Sequence, residues 1–194
     1  MKRVCVFCGS NPGIRPEYVE AARALAAEVA RRGMGLVYGG AAVGVMGALA
    51  DAALREGGEI IGVIPRGLAA REIAHTGLTE LRQVDSMHER KAMMASLADG
   101  FIALPGGLGT LDETFEVLTW AQLGIHRKPV GILDVAGYYD GLRRFLTHAV
   151  EEGLLRREHF ALLLFSGGAG ALLDLMESWR SPAHLRAWLD AVQT

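Results

Sequence analysis

The sequence contains little cysteine, and the two that it has do not suit a disulfide or zinc protein. Two cysteines in 194 residues, Cys5 and Cys8, cannot provide the disulfide framework that staples small secreted domains. Their C-x-x-C spacing occurs in redox and zinc sites, but no second Cys or His pair stands nearby to complete a zinc site. Both are predicted to lie in the first strand, where residues three apart point to opposite faces. We interpret them as small buried apolar residues, and we expect no metal site.

The sequence also lacks a strong net charge and a long apolar segment without interruptions. A formal charge of −2 gives no overall attraction to a nucleic-acid backbone or an anionic membrane. The apolar run that follows Lys2 and Arg3 is too short for the core of a signal peptide. Residues 33–50 are 18 positions without a charge, the length threshold of a spanning helix, but six glycines divide them. We therefore expect a cytoplasmic protein with no nucleic-acid or membrane partner.

Short apolar runs alternate with longer stretches of helical length along the chain. Runs that are apolar on both faces predict buried strands, whereas Pro16 and Gly33 are typical of the first turn and the end of a helix. The predicted strands are Val4–Cys8, Leu36–Tyr38, Ile60–Ile64, Leu78–Val84, Phe101–Leu104, Val130–Leu133 and Leu162–Phe165. The predicted helices are Pro16–Arg32, Val45–Glu56, Ser86–Ala98, Leu111–Leu123 and Tyr138–Glu152, followed by a C-terminal helical segment. This alternation predicts one α/β domain over residues 1–194, with a doubly wound, mainly parallel, Rossmann-like sheet and helices on both faces.

In such sheets ligands bind beyond the carboxyl ends of the strands, and the segment after the strand Phe101–Leu104 is well suited to an anion. Residues 105–113 read Pro-Gly-Gly-Leu-Gly-Thr-Leu-Asp-Glu. Glycines let the backbone turn tightly and approach a ligand closely, and free N–H groups at the start of the next helix favour a phosphate. No Lys follows the last glycine, so this is not a Walker P-loop, and the chain contains no G-x-G-x-x-G dinucleotide fingerprint.

A simpler interpretation of part of this segment is a helix cap. Thr110 and Glu113 have the Thr-x-x-Glu spacing of a capping box, in which the Glu side chain only returns to the backbone of the cap residue. Taken alone, this spacing would favour the cap. Three preceding glycines are more than one turn requires, and they favour a ligand site instead.

Three further segments lie at predicted strand ends or helix starts. Residues 87–91 read Met-His-Glu-Arg-Lys, and their Arg–Lys pair suits a phosphate or a ribose, although an isolated basic pair is usually a solvated helix face. Residues 38–47 form a second glycine-rich turn, for which close approach of a ligand to Gly40 and tight packing of a helix on a strand are equally good interpretations. Ser10, after the first strand, offers a hydroxyl group.

Together these segments resemble the signature of the LOG ("Lonely Guy") family, whose members are cytokinin riboside 5′-monophosphate phosphoribohydrolases and related AMP nucleosidases. Residues 105–110 with Glu113, and Met-His-x-Arg-Lys at residues 87–91, carry the resemblance, which extends from Cys8 to Glu152. It implies that Arg90 and Glu113 are catalytic. The substrate-binding residues that follow from the resemblance or from the strand-end segments are Ser10, Gly40, Glu72, Met87, Arg90, Lys91, Gly106, Gly107, Leu108, Gly109, Thr110, Leu111, Asp112, Glu113 and Thr119.

One position departs from the family pattern. Ala41 follows Gly39 and Gly40 where the family often has a third glycine. A methyl group at this position would narrow a pocket formed by that loop.

The resemblance implies a hydrolase that cleaves the N-glycosidic bond of AMP or of an N6-modified cytokinin nucleotide, giving the free base and ribose 5-phosphate. Cleavage at C1′ passes through an oxocarbenium-like state. A carboxylate at Glu113 would stabilise that cation, and Arg90 would hold the ribose or phosphate and keep Glu113 ionised. The glycine segment with Thr110 would bind the 5′-phosphate and position the reacting carbon. This chemistry needs no metal or organic cofactor.

Two other functions are weighed against this one. A lysine decarboxylase, an older description of the family, would need a lysine that forms a Schiff base with pyridoxal phosphate, and the chain has only Lys2, Lys91 and Lys128. A non-catalytic nucleotide carrier stays open, since related Rossmann-like folds bind ligands without turnover.

The resemblance also implies a homodimer. Met and aromatic residues are enriched at subunit contacts, and the two helices that carry Arg90 and Glu113 are rich in them. Some of these side chains must face the sheet, and the simplest alternative is that all of them do. The residues concerned are Met87, Met93, Met94, Leu97, Leu111, Phe115, Leu118 and Trp120.

Overall fold

A computed structural model describes residues 1–69 and 74–182. The strands are β1 (Arg3–Phe7), β2 (Gly35–Tyr38), β3 (Ile60–Pro65), β4 (Glu80–Val84), β5 (Gly100–Ala103), β6 (Val130–Leu133) and β7 (Leu163–Ser166). The helices are α1 (Pro16–Arg31), α2 (Gly44–Arg55), α3 (Arg66–Ala69), α4 (Met87–Leu97), α5 (Leu108–Gln122), α6 (Asp140–Glu151), α7 (Arg157–Phe160) and α8 (Ala169–Ser178), with a short 3₁₀ helix at Val135–Gly137.

The strands form one sheet in the order β4-β3-β2-β1-β5-β6-β7, and every neighbouring pair is parallel. The chain builds the sheet outward from β1 to β4 in one direction, then returns to β1 and continues from β5 to β7 in the other. The order therefore reverses between β1 and β5. This confirms the predicted doubly wound α/β fold, and it identifies the carboxyl ends of β1 and β5 as the crevice where such sheets bind ligands.

Helices cover both faces of the sheet and divide the core into two clusters. Buried side chains of α1, α2 and α8 pack on one face, and those of α4, α5 and α6 pack on the other. Cys5 belongs to the second cluster and Cys8 to the first, so the two thiols point to opposite faces as predicted. Burial raises the pKa of both thiols, which keeps them protonated and unreactive.

The uncharged stretch of residues 33–50 is divided between β2, a loop and α2. Gly33 ends α1 with a φ of +68°, a conformation that glycine adopts at no steric cost. Across residues 1–69 and 74–182, no helix combines the length and apolar character that crossing a bilayer would require.

The predicted start of α5 is wrong by three residues. The helix begins at Leu108 rather than Leu111, because Gly107 is the N-cap residue with an extended backbone (φ −92°, ψ −152°). Gly109 has a low helix propensity, which hides this start in the sequence. Since Thr110 lies inside the helix, Thr110 and Glu113 do not form a capping box. A cap of that kind occurs instead at α4, where Ser86 Oγ accepts a hydrogen bond from Glu89 N (3.1 Å).

Candidate active site

A cavity of about 450 Å³ lies at the crevice between β1 and β5, within the size range of small-molecule sites. The loops after the two strands form its floor, and they are joined by a hydrogen bond from Gly9 N to Pro105 O (3.2 Å). The N-terminal halves of α4 and α5 supply its charged groups. This is where the order of the strands in the sheet predicts a ligand.

Arg90 of α4 and Glu113 of α5 meet in the wall of this cavity. Arg90 Nη1 donates to Glu113 Oε1 (2.8 Å), and Arg90 Nε donates to the carbonyl of Val63 at the end of β3 (3.1 Å). The two side chains are only 13% and 10% exposed. Gly39, after β2, makes room for this arrangement, because a Cβ atom there would overlap the Arg90 guanidinium. The structure thus holds a cation and a carboxylate, nearly buried, at the end of the sheet.

The protonation of Glu113 is set by two opposing effects. Burial raises the pKa of its carboxyl group, and the Arg90 guanidinium opposes this only in part, so that the pKa lies above the usual carboxylate value. Arg90 therefore favours the ionised form without restoring an ordinary pKa. A carboxylate whose pKa is raised in this way is a better proton acceptor than an exposed one.

The start of α5 supplies hydrogen-bond donors to the same cavity. No side chain caps this helix, and the first N–H groups of a helix have no partner within it. Gly107 and Gly109 both line the cavity, and a Cβ atom at either would meet no other atom within 4 Å. At Gly106, in contrast, a Cβ atom would collide with Thr110, so this glycine permits close packing of the turn. Free N–H groups and open space make this end of the cavity suited to an anion.

Most of the predicted site residues lie together, and the structure separates four others from them. Those that line the cavity are Ser10, Met87, Arg90, Gly106, Gly107, Leu108, Gly109, Thr110, Asp112 and Glu113. Glu72 falls outside the described residues. Those described residues that are predicted for the site but do not line the cavity are Gly40, Lys91, Leu111 and Thr119.

Local contacts explain why three of these four lie apart. Lys91 points along α5 and forms ion pairs with Asp112 (3.3 Å) and Glu116 (3.0 Å). Thr119 donates to the carbonyl of Phe115 one turn earlier (2.7 Å). Gly40 has a φ of +80°, and a Cβ atom there would press on side chains of β3 and β4, which favours the packing interpretation of its loop.

Sequence reasoning missed two tyrosines and an apolar wall of the cavity. Tyr138 follows β6, so the rule that ligands bind after strand ends would have pointed to it, whereas Tyr18 on the first turn of α1 carries no signal of this kind. Their rings make an edge-to-face contact with centroids 5.4 Å apart. The apolar wall consists of Val45, Met46, Ile64, Pro65 and Leu68.

The described residues offer little to a pyridoxal or metal cofactor. All three lysines of the chain are described, and none lines the cavity; Lys91 is paired as above, and Lys128 donates to the carbonyl of Ala95 (2.8 Å). A Schiff base in this cavity would have no amine. Among residues 1–69 and 74–182, no three His, Cys, Asp or Glu side chains are grouped so that they could hold a metal ion.

Comparison with known proteins identifies the family of this chain. The profile of the family described as "Possible lysine decarboxylase" matches residues 46–176. The chain is 49% identical over 178 residues to the cytokinin riboside 5′-monophosphate phosphoribohydrolase LOG7 of Arabidopsis thaliana, an alignment that covers 92% of this chain and 82% of that protein. It is 47% identical over 183 residues to the phosphoribohydrolase LOG1 of the same plant, covering 94% and 85%.

Among solved structures, the molybdenum cofactor binding protein of Rippkaea orientalis has a TM-score of 0.69 over 92% of this chain and 97% of its own, at 21% identity. That likeness concerns the fold alone. The sequence relatives are far closer, and they cover nearly the whole chain. The chain therefore belongs to the LOG family of proteins.

Proposed function

We propose that this protein is a phosphoribohydrolase that cleaves the N-glycosidic bond of an adenine-type nucleoside 5′-monophosphate, AMP or an N6-modified cytokinin nucleotide. The products are the free base and ribose 5-phosphate. The observation that carries the proposal is the nearly buried Arg90–Glu113 pair in a cavity whose other end is formed by the uncapped start of α5. The named activities of the relatives support the same reaction.

In this proposal, one end of the cavity binds the phosphate and the other end promotes cleavage of the bond. The N–H groups at Gly107–Thr110 bind the 5′-phosphate, with the helix dipole favouring its negative charge. Glu113 lies five residues beyond Leu108, about 8 Å along the helix axis, so that the carboxylate is offset from the phosphate toward C1′ of the ribose. Binding energy at the phosphate then positions the carbon at which the bond breaks.

Glu113 and Arg90 act on the reacting end. As the C1′–N bond breaks, positive charge develops on the ribose, and the Glu113 carboxylate stabilises it and orients the attacking water. Arg90 holds Glu113 in place through the 2.8 Å hydrogen bond, and the Arg90 guanidinium group contacts the ribose or phosphate. The apolar wall formed by residues such as Met46 and Ile64 receives the base. No step of this scheme requires a metal or organic cofactor.

The test is to measure free base released by the purified protein. AMP, GMP, CMP and isopentenyladenosine monophosphate are incubated side by side, and the products are separated by chromatography. We expect release of base from one or both adenine nucleotides, and the ratio of the two rates decides between AMP and cytokinin nucleotides. Binding of AMP without any release of adenine would contradict the proposal and favour a nucleotide carrier.

The raised pKa of Glu113 predicts a pH profile. Because the reaction uses the ionised carboxylate, activity is present above this pKa and is lost as the pH falls through it. We expect the acid limb of kcat/KM at a pH above the ordinary carboxyl value of 4.5. The substrate phosphate also titrates near pH 6, so the inhibition constant of ribose 5-phosphate over the same pH range serves as the control. A profile that stays flat down to pH 4.5 would contradict this role of Glu113.

We also propose a homodimer formed through the surface of α4 and α5. Met94 is buried in the core, so one of the candidate interface residues is assigned to the sheet instead. Met87 is exposed, and the remaining apolar side chains on this surface are only partly buried. Beside them, the buried Glu116 Oε2 atom has no hydrogen-bond partner among the described residues. Such an atom costs about 1–3 kcal/mol, and a donor from a second copy would remove that cost. The partly buried side chains are Met93, Leu97, Leu111, Phe115, Leu118 and Trp120.

This proposal predicts that light scattering gives twice the monomer mass of 20.8 kDa at micromolar concentration. Phe115→Glu places a charge on the α4–α5 surface and should shift the protein toward monomer. Phe145→Glu on α6, where the ring is 65% exposed, is the matched control and should leave the mass unchanged. A fully active wild-type protein of monomer mass would overturn the dimer; circular dichroism checks that both variants are folded.

The single-domain organisation over residues 1–194, the cytoplasmic location and the lack of nucleic-acid or membrane partners belong to the same proposal. They rest on the composition and on the continuity of the sheet. Cell fractionation tests the location.

A further inference from the structure

Three consecutive backbone carbonyls in the loop after β5 each accept a hydrogen bond from a group outside the loop. The Leu104 carbonyl accepts from the Tyr139 hydroxyl (2.7 Å), the Pro105 carbonyl from Gly9 N (3.2 Å), and the Gly106 carbonyl from the Tyr138 hydroxyl (2.7 Å). Two of the three donors are adjacent tyrosines between β6 and α6. The loop that leads into α5 is thus held at every carbonyl before the helix starts.

The bond from Tyr138 has a consequence for the neighbouring N–H group. The Gly106 carbonyl and the Gly107 N–H belong to one planar trans peptide, in which the two groups point in opposite directions. A hydroxyl that holds the carbonyl therefore also holds the orientation of the Gly107 N–H. Among the described residues, this N–H donates to no acceptor, and Gly107 lies in the wall of the cavity. Its donor capacity is left for a ligand.

The hydrogen bonds to these three carbonyls also reduce the negative partial charge that an anion meets at the loop. A free carbonyl oxygen in this loop would repel a phosphate, and flipping the Gly106–Gly107 peptide would exchange a donor for such an oxygen. The glycines on both sides make this flip sterically easy. The hydroxyl of Tyr138 opposes it, and the edge-to-face contacts of its ring with Tyr18 and Tyr139 fix the position of that hydroxyl.

We propose that Tyr138 is a positioning residue, whose hydroxyl orients the Gly106–Gly107 peptide so that the Gly107 N–H is preset to bind the 5′-phosphate. Tyr139 supports the same loop two peptides earlier, from a fully packed position. Burial raises the pKa of the Tyr139 hydroxyl, which keeps it a donor. The inference rests on the proposed function only for the identity of the ligand as a nucleoside monophosphate; the preset N–H group can be tested with inorganic phosphate alone.

The experiment uses ¹⁵N-labelled protein titrated with inorganic phosphate, with the Gly107 amide as the probe. In the wild type, this amide signal should shift and saturate. In Tyr138→Phe, which retains the ring and loses only the hydroxyl, the phosphate dissociation constant should rise about 3- to 10-fold, the effect of one typical hydrogen bond. The KM for the nucleotide should rise by a similar factor, with kcat changed less than KM.

Tyr38→Phe is the matched control. Its buried hydroxyl also donates to a backbone carbonyl, that of Ala41 (3.3 Å), but Tyr38 does not line the cavity. This variant should leave the phosphate titration unchanged. Equal dissociation constants for wild type and Tyr138→Phe would overturn the inference. A Gly107 amide signal that Tyr138→Phe leaves unmoved in the phosphate-free protein would overturn it too, since the hydroxyl would then contact phosphate directly rather than orient the peptide.

The two proposals fail separately. A wild-type protein that releases no base but shows the expected phosphate responses would refute the proposed reaction and support the role of Tyr138. A protein that turns over AMP without any response of the Gly107 amide to phosphate would support the proposed reaction and refute the role of Tyr138.

Discussion

Replacing Glu113 with Gln is expected to lower turnover by about 10²–10⁴-fold while the protein remains folded. Gln has the same shape and can still accept a hydrogen bond from Arg90, so the 2.8 Å contact and the packing around it are retained. The negative charge that we propose stabilises the developing cation is lost. The measurement is kcat for base release at a pH where the wild type is fully active, together with thermal unfolding of both proteins.

Glu59→Gln provides the matched control for this substitution. Glu59 also pairs with an arginine, Arg3, at 2.7 Å, but it lies at the opposite end of the sheet and does not line the cavity. Its loss removes a Glu–Arg pair without touching the site, so turnover should stay at the wild-type level. Near-normal turnover of Glu113→Gln would remove Glu113 from the reaction and leave it a structural partner of Arg90.

Replacing Gly107 with Val is expected to abolish nucleotide binding. The backbone of Gly107 is extended (φ −92°, ψ −152°), which valine tolerates, and its Cβ atom would meet nothing within 4 Å. The folded protein can therefore accommodate the side chain, but the branched methyl groups would fill the space in which we propose that the phosphate binds at the start of α5. Titration calorimetry with AMP measures the loss, and the melting temperature should stay close to that of the wild type.

Gly168→Val is the control, because Gly168 is also the N-cap residue of a helix, α8, with open space around its Cβ position. It lies outside the cavity, so its replacement should not change the affinity for AMP. Gly106 would be a poor choice for this test, since any side chain there collides with Thr110 and Gly9. Wild-type affinity in Gly107→Val would mean that the phosphate binds elsewhere.

The sequence predicted the fold well because its signals are local. Seven predicted apolar runs correspond to strands β1 to β7 of the sheet, with boundaries that differ by at most two residues. The exception of α5 has a physical cause. Gly109 and the N-cap Gly107 are weak helix formers, so helix propensity alone places the start of the helix after them. The same error made Thr110 and Glu113 look like a capping box.

The candidate site was only partly readable from the sequence. The glycine segment at residues 105–110 predicts an anion site from local sequence, since three glycines between a buried strand and a helix are more than one turn requires. The roles of Arg90 and Glu113 came from a family resemblance, because nothing local distinguishes an arginine on one helix from its neighbour Lys91. Lys91 instead pairs with Asp112 and Glu116, away from the cavity.

By itself, then, the sequence determined the alternating α/β fold and the location of a glycine-rich turn suited to an anion, since both depend on short-range periodicity and on glycine. Only the tertiary structure decided which charged groups meet there. Arg90 and Glu113 lie 23 residues apart and on different helices, and their contact depends on how α4 and α5 pack side by side on one face of the sheet. The donors of Tyr138 and Gly9 reach the loop after β5 for the same reason: long-range contacts follow from strand order, which no local pattern encodes.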